Sequence, residues 1–337
     1  TLGERIAVLP KAGRAPLSRE CMLIGARNSS KTVGCLATAF FSLSFCQLAL
    51  PLRVPVAPLV CAMRMAGGCR GSAVVRKRGG ETKTATEVQI NKGAVSLTVA
   101  SWNLDGISDD GLFPVQRAAK AAGILLDTRQ GALPLPDLIA LQEVTRNTIG
   151  VIEKRFTAGG YVDTEKSQIP PYPHDSYFTK CYIRRDSPWR CTTSSRVPFA
   201  ASRMTRDLLT VSLSGPIGLS ARIANTHLES TGPEQAQRLA QLRSAMAAVA
   251  GAPAPPFCAL IGDLNLGAKD QVQDIAARHG LEDAFGSEKP LRYTWDCNTN
   301  LNVQRMLGMP AGPKCRFDRC YFKVSEASGG TTAGDEA

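Results

Sequence analysis

Five polar runs hold most of the chemistry this sequence could perform. They are Asn103-Leu104-Asp105-Gly106, Gln142-Glu143, Asn225-Thr226-His227-Leu228-Glu229-Ser230-Thr231, Gly262-Asp263-Leu264-Asn265 and Arg316-Phe317-Asp318-Arg319. In the first four, an apolar or β-branched run ends abruptly in carboxylates, amides or an imidazole, the pattern of buried strands leaving a core. Polar groups at strand ends converge on a sheet edge, where ligands are commonly held. A set rich in Asp, Glu, Asn and His, with no Cys in it, suits a hard divalent cation and a phosphate.

Glu143 is the candidate direct ligand for Mg2+ or Mn2+, because Mg2+ is often held by one or two carboxylates with water filling its other positions. Standing alone, it would read as a surface glutamate after a strand. Asp263 and Asn265 lie two apart. If strand geometry continues, both side chains fall on one face and can orient a water and accept its proton for phosphodiester hydrolysis. The competing reading is a turn that Asp and Asn favour. A lone histidine at a strand end is more often structural, but the polar run around His227 favours function.

Taken in order, these motifs resemble the endonuclease/exonuclease/phosphatase superfamily, and within it the tyrosyl-DNA phosphodiesterase branch. Trp102-Asn103, Gln142-Glu143 and Gly262-Asp263-x-Asn265 are the general marks. Asn103-Leu104-Asp105-Gly106, His227-Leu228-Glu229-Ser230-Thr231, Thr294-Trp295-Asp296 and Arg316-Phe317-Asp318-Arg319 are the discriminating ones, with weaker matches at Ser176-Tyr177-Phe178-Thr179 and Arg206-Asp207-Leu208-Leu209. The resemblance spans residues 97–323. It implies an α/β fold, a deoxyribonuclease I-like two-sheet β-sandwich flanked by helices. It also implies a monomeric, Mg2+-dependent phosphodiesterase that hydrolyses 5′-phosphotyrosyl DNA ends and repairs topoisomerase adducts in the nucleus.

The resemblance assigns roles as well. Asn103 contacts the scissile phosphate, Asp105 joins Glu143 in the metal and water network, and His227 contacts non-bridging phosphate oxygens. Ser230 and Arg206 bind substrate. Trp295 is the aromatic wall for single-stranded DNA, where stacking contributes about 1–3 kcal/mol per base. Asp318 orients a catalytic histidine belonging to a Ser-Asp-His motif. This chain has only His174, His227 and His279, and no Ser-Asp-His. Gly232 and Gly267 stand where the family carries arginines, with Lys269 nearby. Lysine is a poorer bidentate phosphate grip. These departures predict weak activity and a sheet lacking its C-terminal strand, with an unpaired edge. The rival readings are another phosphodiesterase of the superfamily, acting on RNA ends, abasic DNA or phospholipid, and a non-catalytic relic.

Charge and composition divide the chain. Of its 337 residues, the first 95 hold 14 of the 40 Lys and Arg but only 4 of the 29 Asp and Glu. The net charge of +11 therefore says little about the part that carries the motifs. Residues 1–80 read as a targeting segment, a membrane anchor or a non-native extension, with an uncharged stretch at 33–52 of about bilayer-spanning length. Residues 81–94 read as a linker, 95–325 as the folded domain and 326–337 as a disordered tail. Eleven scattered cysteines show no C-x-x-C spacing, which favours free thiols in a reducing compartment. Strands are expected at 95–100, 138–141, 207–213, 219–224 and 257–261, with helices at 115–127, 148–156 and 233–250.

Overall fold

In a computed structural model, the described residues are 95–107, 113–127, 135–165, 177–267, 270–325 with interruptions, and two strands between 59 and 77. Alternation in the apolar strands predicts two stacked sheets, and two six-stranded sheets are present. Sheet 1 holds β1 (Leu59–Ala66), β2 (Cys69–Lys77), β3 (Val95–Asn103), β4 (Leu138–Thr145), β5 (Tyr161–Asp163) and β6 (Tyr177–Arg184), in the order β2-β1-β3-β4-β6-β5. Sheet 2 holds β7 (Arg190–Pro198), β8 (Asp207–Ser214), β9 (Ser220–His227), β10 (Phe257–Asp263), β11 (Glu282–Asp283) and β14 (Asp318–Val324). Its order is β11-β14-β10-β9-β8-β7. A small ribbon pairs β12 (Trp295–Asp296) with β13 (Lys314–Cys315).

Side-chain alternation sorts the core into layers. Leu97, Val99, Leu138 and Ala140 of sheet 1 meet Val211, Ile223, Ile261 and Phe322 of sheet 2 between the sheets. On the outside of sheet 1, Trp102, Ile139 and Leu141 pack on α1 (Pro114–Leu125) and α2 (Arg146–Ala158). On the outside of sheet 2, Ala224, Cys258 and Leu260 pack on α3 (Gln235–Ala250) and α4 (Gln273–Arg278). Because β4 and β10 are covered on both faces, they read as continuous apolar runs. Trp102 faces the core as expected, 5% exposed.

The helix boundaries follow their caps. Thr145 caps α2, accepting from the backbone N–H of Thr148, whose side chain returns the bond in a capping box. Pro114 opens α1 at a position where its missing N–H loses nothing. At the far end of α3, Arg222 on β9 donates to the carbonyls of Ala248, Val249, Gly251 and Pro253. A cation is also favoured there by the helix dipole.

Each sheet contains a parallel pair joined through a helix: β3/β4 through α1, and β9/β10 through α3. The carboxyl ends of these four strands carry Asn103, Glu143, His227 and Asp263. Ligands in α/β sheets gather at such ends.

One expectation changes. The sheet begins upstream of residue 95, since β1 runs antiparallel to β3 from Leu59↔Ser101 to Met65↔Val95. The edge of β3 is therefore paired, and β2 lies at the margin instead. An unpaired row of backbone groups is a liability, and the hairpin satisfies the one on β3. The stretch at 33–52 lies outside the described residues. Among those described, no helix is long and apolar enough to cross a membrane, and Cys181, Cys191, Cys258, Cys297, Cys315 and Cys320 are free thiols.

Candidate active site

Strands β3 and β10 end in the same local device. Asn103 Oδ1 accepts from the backbone N–H of Asp105 at 2.9 Å, and Asp263 Oδ1 accepts from that of Asn265 at 3.0 Å. Asp105 and Asn265 take left-handed φ values of 51° and 50°. The turn reading of the two-residue spacing is thus correct, and the expectation that Asp263 and Asn265 share one strand face is not. Strand geometry stops at Asp263. Asn265 turns to the end of β9, where its Nδ2 donates to the Leu228 carbonyl at 3.0 Å.

Turn and chemistry coincide, because the freed side-chain atoms point into the gap between the sheets. Asn103 Nδ2 donates both to Glu143 Oε1 at 3.1 Å and to Asp263 Oδ2 at 2.9 Å. One amide thus joins the carboxylates of two different sheets. His227 Nε2 lies 3.6 Å from Asp263 Oδ2, and its Nδ1 lies 3.9 Å from Glu143 Oε1.

Glu143 reaches this point through an irregularity in β4. The register with β6 shifts between Leu141 and Val144, and Glu143 has φ 54°. Such a bulge bends a strand and re-aims a side chain. Leu141 and Val144 both stay in the outer core, while Gln142 turns to the other sheet. Gln142 Nε2 donates to Asn225 Oδ1 at 2.7 Å and to Ser101 Oγ at 3.0 Å. Asn225 Nδ2 in turn donates to the carbonyls of Leu141 and Lys180. This buried amide pair stitches sheet to sheet beneath the carboxylates. Gly106 closes over Glu143, and a Cβ there would sit 2.2 Å from the Glu143 carbonyl oxygen. Gly262, at φ 141°, lies against Thr226 in the same way.

The electrostatics are one-sided. Burial lifts the Glu143 carboxyl to about 7, with Asp105 and Asp263 adding repulsion and the Asn103 hydrogen bond and Arg206 opposing it. Burial also raises Asp263 against the pull of Asn103, Asn265 and Arg206. Asp318 is raised well above the usual carboxylate range by burial and by the neighbouring Asp263. Its backbone N–H donates to Thr294 Oγ1 at 3.0 Å, but its Oδ1 is buried without a hydrogen-bond partner among the described residues.

His227 is held neutral. Burial, followed by the nearby Arg206, lowers its pKa well below the ordinary value. Arg206 Nη1 lies 2.7 Å from His227 Nδ1. Arginine can only donate, so Nδ1 accepts and the ring proton resides on Nε2, facing Asp263. The Arg206 guanidinium also lies over the Tyr177 ring, 4.7 Å from its centroid. Glu143, Tyr177, Thr179, Thr205, Arg206, Asp207 and His227 line one small pocket.

The remaining expected residues lie less centrally. The Asp105 carboxylate is paired with Arg117 Nη1 at 2.8 Å and stays 44% exposed. Arg206 lines the pocket, yet its Nη1 is committed to His227. Ser230 Oγ lies 3.2 Å from Met204 Sδ. Trp295 is half-buried against Phe317, with ring centroids 5.7 Å apart. Glu229 is fully buried, and its role was not anticipated. Its Oε1 accepts from Ser202 Oγ and from the backbone N–H groups of Arg203 and Met204, shaping the loop that delivers Arg206.

The sequence profile of the Endonuclease/Exonuclease/phosphatase family matches residues 100–334. The chain belongs to this family. Tyrosyl-DNA phosphodiesterase 2 of Mus musculus is 29% identical over 234 residues, 68% of this chain and 57% of that protein. The Bos taurus protein of the same name is 29% identical over 255 residues, covering 74% of this chain and 64% of its own length. The chain thus spans about 60% of the length of these relatives. Among solved structures, D. rerio TDP2 complexed with single strand DNA product superposes with a TM-score of 0.56 at 26% identity, covering 68% of this chain and 84% of that one. Truncated Caenorhabditis elegans TDP2 gives 0.53 at 30% identity, covering 67% and 83%. The two-sheet sandwich is the shared fold.

Proposed function

We propose that this chain is a Mg2+-dependent phosphodiesterase that releases tyrosine from the 5′ ends of single-stranded DNA, a repair activity exercised in the nucleus. The observation that carries the reading is the Asn103 amide shared between Glu143 and Asp263, with the His227 Nε2 edge beside them. The kinship with tyrosyl-DNA phosphodiesterase 2 supplies the substrate class.

The residues present suit a cation. Among the described residues, no three His, Cys, Asp or Glu side chains surround one point as in a closed metal site. Mg2+ does not need one, because it usually keeps several waters and takes only one or two carboxylates. Glu143, desolvated and repelled by its acidic neighbours, would hold it, with Asp105 close enough to repel Glu143. When bound, the ion supplies positive charge to the phosphate and its leaving oxygen.

The protein's own groups divide the remaining work. Asp263, fixed by Asn103 and by the Asn265 backbone, accepts a proton from the attacking water. Its raised pKa makes it a stronger base than an exposed aspartate. The neutral His227 offers its Nε2–H to a non-bridging phosphate oxygen. Trp295 presents a partly exposed face for an unpaired base.

A panel of a 5′-tyrosyl oligonucleotide, abasic duplex DNA and sphingomyelin, with and without Mg2+, tests the reading. Fastest turnover is expected on the tyrosyl oligonucleotide and only with Mg2+. Faster turnover of either other substrate assigns the chain to a different phosphodiesterase specificity. No turnover of any, by folded protein, supports a non-catalytic binding role.

A further inference from the structure

Beside the site lies a second buried group of charges that the reaction does not use. Arg196 projects from β7 and is 12% exposed. Its Nε and Nη2 grip Glu165 Oε1 and Oε2 at 3.0 and 2.8 Å, a bidentate pairing. Its Nη1 donates to Asp207 Oδ2 at 2.6 Å and to Thr179 Oγ1 at 3.0 Å, and its Nη2 to the Thr179 carbonyl at 2.7 Å. Thr179 Oγ1 completes the ring by donating to Asp207 Oδ1 at 3.2 Å.

The position of this clamp matters more than its charge. Thr179 belongs to β6 of sheet 1 and lies two residues from Tyr177, on the same strand face. Asp207 opens β8 of sheet 2 and directly follows Arg206. Arg196 therefore fastens the two sheets where the Arg206 guanidinium crosses from one to the other to lie over Tyr177. Arg206 is in turn the donor to His227 Nδ1. Other ties nearby are Ser194 Oγ on the Thr164 carbonyl at 2.8 Å and Asn225 Nδ2 of β9 on the Lys180 carbonyl at 3.0 Å, and neither touches residue 206 or 207.

We propose that Arg196 is a positioning residue. By clamping Thr179 to Asp207 it fixes the spacing of Tyr177 and Arg206, and through Arg206 it holds His227 as the Nε2–H tautomer. Its kinetic consequence rests on the phosphodiesterase reading; its structural consequence does not.

The test uses the whole chain with 15N-labelled histidine. Only three histidines contribute signals, and His227→Gln assigns the one of interest. Arg196→Met would remove the guanidinium that faces the Asp207 carboxylate at 2.6 Å, so the informative variant is Arg196→Met/Asp207→Asn, which removes the charges as a pair. Arg196→Lys is the second variant, because one ammonium cannot span three partners as a planar fork does. In both, the His227 nitrogens are expected to move from the acceptor Nδ1 pattern towards an averaged tautomer. In both, kcat falls by about 10–100-fold, the scale of a small misplacement caused from outside the reacting groups, while KM stays near the wild-type value. Unchanged His227 nitrogens in either folded variant overturn the proposal, as does loss of KM alone. If the wild-type chain cleaves no phosphodiester, the functional reading fails, yet the nitrogen spectra still decide the role of Arg196. If the double variant does not fold, Arg196→Lys carries the same decision.

Discussion

Two buried charge clusters lie side by side in this molecule, and they are built on opposite terms. In the clamp, Lys180 and Arg196 face Asp163, Glu165 and Asp207 at 2.6–3.4 Å. At the strand ends, Glu143, Asp263 and Asp318 face one another, with Arg206 as the nearby arginine that opposes the rise of Glu143 and Asp263. Charges that serve the fold are compensated within the protein, since an unpaired buried charge is expensive. Charges left under-compensated in a cleft mark a place where a ligand brings the missing charge. That contrast is a physical reason, independent of kinship, to put the chemistry at the second cluster.

The largest expected effect comes from the under-compensated cluster. Asp263→Asn keeps the shape and the hydrogen bond from the Asn265 backbone but removes the base. Turnover on the best substrate of the panel should fall by about 10²–10⁴-fold, in a chain that still unfolds cooperatively. Full retained turnover would show that Asp263 is no more than a strand terminator.

The compensated cluster should respond in stability instead. Lys180 is completely buried and bonded to Asp163 at 2.6 Å. Lys180→Met takes the buried cation away from that carboxylate, so denaturant unfolding should show a loss of about 3–5 kcal/mol. A loss below about 1 kcal/mol, typical of surface pairs, would mean that the two clusters do not differ as described.

The smallest effect carries the opposite sign. The folded-state pKa of Glu143 lies at about 7, above its ordinary 4.5. The folded chain therefore holds this proton more tightly than the unfolded chain. This contribution to stability is full below pH 4.5, declines as pH rises to about 7, and stays lost above it. Glu143→Gln should relieve the loss, making metal-free protein more stable at pH 8 by up to about 3 kcal/mol, with little change at pH 4. Mg2+ should stabilise the wild type at pH 8 and leave the variant unaffected. A variant less stable than wild type at pH 8 would remove the case for electrostatic frustration at Glu143.

Much of this arrangement could be read from the chain. Val95–Asn103, Leu138–Thr145, Ser220–His227 and Phe257–Asp263 announce themselves by apolar or alternating runs that stop at polar residues, because a strand must change chemistry where it leaves a core. Other features gave no such signal. Arg190–Pro198 is a polar edge strand whose residues alternate too weakly to reveal that Arg196 turns inward. Leu59–Ala66 pairs along β3 and Cys69–Lys77 along Leu59–Ala66, although their basic, irregular neighbourhood suggested an extension outside the fold.

The sequence by itself determined the residue types at the site and the strand ends that carry them, because hydrophobic periodicity and turn chemistry are local properties. It offered the turn at Asp263–Asn265 only as the rival of a continued strand, because a short Asp or Asn side chain can bond its own backbone there. Only the tertiary structure decided which atoms meet. The bulge that aims Glu143 inward, the Asn103 amide shared with a carboxylate of the other sheet, and the commitment of Arg206 to His227 depend on strand pairing and on how two sheets stack. Those contacts join residues as much as 160 positions apart, beyond the reach of any local pattern.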